Sequence, residues 1–134
     1  MKCNYLTLEQ LEDDVWPEPD FASRLVTTCH KLRKKPLADF DVEDLRIMIG
    51  QNIGLRHLLP MAIDKLRKNP LCEGDFYDGD LLSQVITRNG SELSKHTDIV
   101  ELVRICEAAL VSENPMCPDE VQAEIQTFCQ SIKI

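Results

Sequence analysis

Cations are the scarcer charge in this chain of 134 residues: 15 Lys and Arg stand against 23 Asp and Glu, a formal net charge of −8. That balance argues against a nucleic-acid backbone or an anionic membrane as the partner, and suits either simple solubility or a basic protein. No apolar run approaches the ~18 residues needed to span a bilayer, and Met1-Lys2-Cys3-Asn4 leads into a charged amphipathic segment rather than a signal peptide. Cys3, Cys29, Cys72, Cys106, Cys117 and Cys129 show no paired short spacing. The expectation is a cytoplasmic chain with reduced thiols, several of them packed as small hydrophobes on apolar helical faces. His30, His57 and His96 are isolated from one another, so zinc is not expected. A phosphate-cradling glycine loop, an internal repeat and low-complexity segments are also missing, and no run alternates with period two.

What is present is helical periodicity. Thr7, with Gln10 at the capping-box position, predicts a first helix carrying Leu8, Leu11 and Val15 and ended by Pro17 and Pro19. Asp20 is the expected cap of a second helix, with Phe21, Leu25, Cys29 and Leu32 aligned and a basic end, Lys31 to Lys35, suited to the helix macrodipole. Asp41 caps a third helix with Val42, Leu45, Met48 and Ile49, closed by Gly50. Leu55, Leu58, Leu59, Ala62, Ile63 and Leu66 form the strongest stripe. Pro60 within it predicts a short turn followed by a helix from near Leu59. A loop from Leu71 to Gly79 precedes a helix capped by Asp80. One helix is then expected within 91–111, with Ile99, Leu102, Val103, Cys106 and Leu110 on its apolar face, and a last one follows with Asp119-Glu120 in its first turn. The fold class is therefore all-α, a compact single-domain bundle of about six to seven helices over residues 1–134.

The chain is organised around Val42 to Leu82, where Gly50 and Gly54 punctuate the first half, and Gly74 and Gly79 bracket the acidic, aromatic turn of Glu73, Asp75, Phe76, Tyr77, Asp78 and Asp80. The spacing of those carboxylates does not fit an EF-hand loop, so no metal is expected. Paired carboxylates can serve a hydrolase only in a cleft that raises one pKa, and an exposed turn leaves both ionised. No signature surrounds any cysteine that would make it a nucleophile. The chain is read as a non-enzyme without a cofactor. The turn instead has the composition of a docking site for a cationic protein: rings to desolvate, charges to steer. The alternative is that the rings fold inward to pin the loop, Phe76 more readily than Tyr77, whose hydroxyl suits a boundary. A second acidic surface, Glu9, Glu12, Asp13, Asp14, Glu18 and Asp20, flanks the first helix, with Trp16 as a rim anchor.

Asp44-Leu45-Arg46, Ile49-Gly50-Gln51 with Gly54-Leu55, Leu59-Pro60 with Ala62, and Glu73-Gly74-Asp75-Phe76-Tyr77 with Gly79-Asp80-Leu81-Leu82, preceded by Val26 to Leu37, closely resemble the bacterial contact-dependent growth inhibition (CDI) immunity proteins. The resemblance runs from Leu11 to Val85. It implies a small cytosolic antitoxin that binds the C-terminal toxin domain delivered by a neighbouring cell and blocks its active site, the toxin in many cases being a nuclease, often a tRNase, with a basic cleft. Such a protein binds neither nucleic acid nor membrane itself. On this reading the toxin-binding residues are Glu73, Asp75, Phe76, Tyr77, Asp78 and Asp80, with Glu12, Asp13, Asp14 and Glu18 from the first helix. The shared motif would be partly architectural: Gly50, Gly54, Pro60, Gly74 and Gly79 shape the backbone, and Asp44, Arg46 and Gln51 tie loops to helices. The rivals are a helical adaptor or regulatory subunit for another basic protein, and a hydrolase using the acidic turn.

Overall fold

Apolar residues recurring every three to four positions place one stripe of each helix against a common core. A computed structural model describes residues 5–17, 23–88, 93–96, 98–113 and 116–132. Glu18, Asp20, Phe21 and Cys3 lie outside the described residues. The described elements are α1 (Leu8–Glu12), α2 (Arg24–Arg33), a 3-10 turn (Leu37–Asp39), α3 (Val42–Gly50), α4 (Leu55–Lys68), α5 (Asp80–Arg88), α6 (Leu93–His96), α7 (Ile99–Leu110) and α8 (Asp119–Ser131). The fold is all-α. α5 packs against both α3 and α8, and α3 also packs against α4. Every helix contributes buried side chains to one apolar cluster.

Several boundaries follow the expected local chemistry. Thr7 and Gln10 form the capping box at α1, and Asp41 forms another with Asp44 at α3. These reciprocal bonds satisfy amide donors that have no intrahelical partner. Gly50 is the final residue of α3 and Gln51 its cap. α1 is shorter than its periodicity predicts, because Asp13 turns into the left-handed region at φ 50° and leaves Val15 exposed beyond the helix. α2 is capped by Ser23, whose hydroxyl accepts from the Val26 amide, rather than by Asp20. It buries Cys29 and Leu32 while Leu25 is exposed. The single helix expected within 91–111 is instead two, because the Asp98 carboxylate accepts from the Val100 and Glu101 amides and starts α7 afresh. The buried stripe of α7 is Leu102, Ile105, Cys106 and Ala109, which turns Leu110 towards solvent.

The expected break at Pro60 does not occur, and α4 runs unbroken from Leu55 to Lys68. A proline inside a helix costs about 3 kcal/mol. Leu55, Leu58, Leu59, Ala62, Ile63 and Leu66 are all buried, and burying six apolar side chains returns roughly 10 kcal/mol before entropy is counted. Burial therefore outweighs the breaker. Pro60 and Arg56, whose carbonyl loses the proline's missing amide, are both exposed, so solvent can reach that oxygen.

Gly54 starts α4 at φ +64°, and its carbonyl accepts from the Leu58 and His57 amides at 2.9 and 3.0 Å. A Cβ there would stand 2.9 Å from both methyls of the fully buried Leu8. Gly54→Ala is therefore expected to lower the unfolding free energy by about 1–3 kcal/mol in urea denaturation. Pro60→Ala should leave stability unchanged or raise it, because it restores an amide to a helix that is already continuous. A loss of stability in Pro60→Ala would show that α4 does break there.

Candidate functional site

The acidic turn is built around the guanidinium of Arg46. Glu43 and Arg46 lie one turn apart on α3, and the Arg46 Nε and Nη2 donate to the two Glu43 carboxylate oxygens at 2.6 and 2.5 Å, a bidentate pair. Glu43 Oε1 also accepts from the Asp75 amide at 2.9 Å, 32 residues along the chain. From the other side, the Asp80 carboxylate accepts from the amides of Gly74 (2.7 Å), Phe76 (3.1 Å) and Tyr77 (3.4 Å), and lies 3.8 Å from Arg46 Nε. The Arg46 guanidinium carbon then stands 4.0 Å from the centroid of the Phe76 ring, a cation–π contact. Gly74 is needed because a Cβ there would meet Glu43 Oε1 at 2.5 Å and Asp80 Oδ2 at 3.0 Å. Gly79, at φ +85°, brings its amide to the Leu71 carbonyl at 3.1 Å.

This arrangement sorts the residues of the turn. Asp80 is 1% exposed and committed to the turn's own backbone, which withdraws it from any contact surface. Glu73 and Asp75 are exposed, Asp78 and Tyr77 half-buried, and Phe76 is 68% exposed. Phe76 lies outside, where the docking reading puts both rings, and Tyr77 is the ring that turns inward, the reverse of the order given for the inward-folding alternative. Tyr77 packs against the core and donates to the Ser83 hydroxyl at 3.3 Å, and Ser83 donates to Glu124 at 2.7 Å. Phe76 stays outside because Arg46 occupies its inner face.

The first acidic segment is likewise held by one arginine. Arg33 is 1% exposed, pairs with Glu12, donates to the Asp14 carbonyl, and lies 4.3 Å from the Trp16 ring, which meets His30 edge-on at 5.3 Å. The end of α2 is therefore more than a solvated basic terminus. Lys35 bridges to Asp44 at 2.6 Å, and the Leu37 amide donates to Leu6. Glu12 is engaged by Arg33, Trp16 is half-buried, Asp13 and Asp14 present exposed side chains, and Glu18 lies outside the described residues. Glu43 and Arg33, the two residues that decide which carboxylates are free, were not singled out by periodicity. The only sequence signal for the first is its i,i+3 spacing to Arg46.

The carboxylates of the turn either lie exposed or are tied to its own backbone. Asp75 is exposed and Asp80 is engaged with three amides, so they do not face one another as an acid–base pair. Burial pushes the Cys106 thiol up to about 12 and Cys72 up to about 11, which keeps both protonated and poorly nucleophilic. Among the described residues no three His, Cys, Asp or Glu side chains converge to hold a metal ion. A cleft of about 640 Å³ between α5, α6, α7 and α8 is lined by Ile86, Leu93, Ile99, Phe128 and Ile132, with Glu124 at its edge. Its walls are mostly apolar. No described helix is long and apolar enough to cross a membrane.

A family model described as CDI immunity proteins matches residues 10–103, which span α2 to α6, the Arg46 turn and the first part of α7. No curated protein and no solved structure matches the chain.

The Arg46 guanidinium foremost, and the Asp75 amide after it, hold the Glu43 carboxyl below its ordinary value of 4.5, against burial, which acts the other way. A depressed carboxylate pKa contributes stability that is full above the ordinary value and lost as pH falls through the folded one. Arg46→Ala strands Glu43 and Asp80 beside each other and should cost about 3 kcal/mol near neutral pH. That difference from wild type should narrow at a pH of about 3, as Glu43 protonates. Urea denaturation at the two pH values measures it, and a difference independent of pH would mean that Arg46 acts through packing on Phe76 alone.

Proposed function

Because the chain belongs to the CDI immunity proteins, we propose that it neutralises a nuclease toxin by binding the toxin's C-terminal domain and occluding its basic substrate cleft. The observation that carries this reading is the acidic surface: a net charge of −8, with Glu73, Asp75 and Phe76 exposed on a turn whose backbone is held from both sides by Glu43 and Asp80. Carboxylates can stand where substrate phosphates would sit among lysines and arginines. Because the turn is already ordered, little conformational entropy is lost on binding. Long-range attraction raises the association rate, and charge pairs desolvated around Phe76 slow release. Such inhibition uses no catalysis and no cofactor. A toxin acting on RNA places the encounter in the cytoplasm.

The test is co-expression with the toxin domain encoded beside the chain's own gene, followed by titration of the purified pair at increasing salt. Growth rescue and a complex weakened by salt are expected. An unrescued culture would remove the reading, and a stable complex with a different basic protein would move it to the adaptor alternative. Within the complex, Asp75→Lys with Asp78→Lys should weaken binding by about tenfold or more. Asp64→Lys, at a carboxylate already paired with Arg67 and Lys68 on α4, should do less. Equal effects would mean that only overall charge matters.

A further inference from the structure

Most of the uncompensated charge lies away from the acidic turn. The first 97 residues carry sixteen acids and thirteen cations, a net of −3, while residues 98–134 carry seven acids and only Arg104 and Lys133, a net of −5. Of those seven acids, Asp98 caps α7, Glu101 is held by Arg67 at 2.7 Å, and Glu124 accepts from Ser83. Glu107, Glu113, Asp119 and Glu120 remain, and among the described residues no cation stands within ion-pair reach of them. Asp119 and Glu120 complement the α8 macrodipole, which accounts for their position but leaves their charge facing solvent.

Between these carboxylates the chain exposes apolar side chains. Val111 is 78% exposed, Met116 74%, and Leu110 also faces solvent. Glu113 and Met116 pair through their backbones in an isolated antiparallel bridge, which holds Met116 beside Glu113 between α7 and α8. Single exposed apolar residues are ordinary, but several gathered in one acidic turn form a patch suited to a partner. Four residues separate Met116 from Val121, whose methyls stand 3.4 and 3.5 Å from where a Cβ on Gly79 would be. The Tyr77–Ser83–Glu124 hydrogen-bond chain also ties the turn to α8. The start of α8 therefore abuts the acidic turn.

We infer that the turn joining α7 to α8 is a second contact element for the toxin, an apolar knuckle of Val111 and Met116 that enters an apolar socket rimmed by lysines and arginines. The occupant is set by charge: four carboxylates near the knuckle, without an ion pair among the described residues, repel a second copy of this acidic chain and attract a basic face. This rests on the toxin-binding reading and extends it beyond residue 103, where the family match ends. A contact there lies outside the part of the chain that the family model matches.

The experiment uses the full chain and the toxin domain encoded beside its gene, with affinity read by calorimetry and association rate by stopped flow. Val111→Ser with Met116→Ser, and Met116→Gln alone, should fold as wild type by circular dichroism, because both side chains are exposed. The double variant should bind about tenfold more weakly, mainly through faster release. Glu113→Lys should slow association and reduce its salt dependence. If wild type binds and the apolar variants bind equally well, the inference is overturned and the toxin-binding reading stands. If wild type does not bind, both fall. A concentration-dependent dimer of the free chain that Met116→Ser abolishes would also overturn it, by showing the patch to be a self-contact.

Discussion

The bidentate pair of Arg46 with Glu43 is the interaction on which the rest of the acidic turn depends. One guanidinium neutralises a carboxylate on its own helix, lies beside the buried Asp80, and supports the ring of Phe76. Each partner in turn holds backbone: Glu43 the amide of Asp75, and Asp80 the amides of Gly74, Phe76 and Tyr77. A loop with many unpaired amides would ordinarily sample many conformations. Here those amides end on two carboxylates that one cation keeps side by side, which turns a glycine-bracketed loop into a fixed part of the surface.

The protein uses its carboxylates in two ways. Those that meet an arginine or lysine, such as Glu12, Asp44, Glu43 and Glu101, tie distant segments together. Those without one, such as Asp75 and Glu113, are left to set the field around the molecule. The mutual repulsion of these free charges disfavours the folded state slightly, and the engaged pairs lower that repulsion by neutralising part of the total. A net charge of −8 can thus coexist with a folded core, because much of the acidic sequence is not acidic surface.

The family match explains why the motif residues fall where they do. Gly50, Gly54, Gly74, Gly79, Asp44 and Arg46 all lie within residues 10–103. Five of them have evident backbone or tethering roles: Gly54 at a left-handed helix start, Gly74 beside two carboxylates, Gly79 at a positive φ with its amide on Leu71, Asp44 on Lys35, and Arg46 at the centre of the turn. Tethered and exposed residues are therefore neighbours in the sequence, sometimes adjacent ones. Asp75 and Asp80 differ in role although only four residues separate them.

The all-α class, the stripe of α4, the capping box at Thr7, the cap at Asp41 and the resemblance to the immunity proteins were legible in the sequence, because each depends on residues close together in the chain. What only the tertiary structure decided depends on partners far apart in the chain. Pro60 stays inside α4 because six side chains on that helix find a core to fill. Asp80 leaves the surface and Phe76 remains on it because Arg46 reaches them from α3. Glu12 is engaged while Asp75 is exposed, since Arg33 forms an ion pair with the first and, among the described residues, no cation forms one with the second. Local spacing sets which residues share a helical face. Which charge is neutralised is set by distances across the fold, and composition does not contain those.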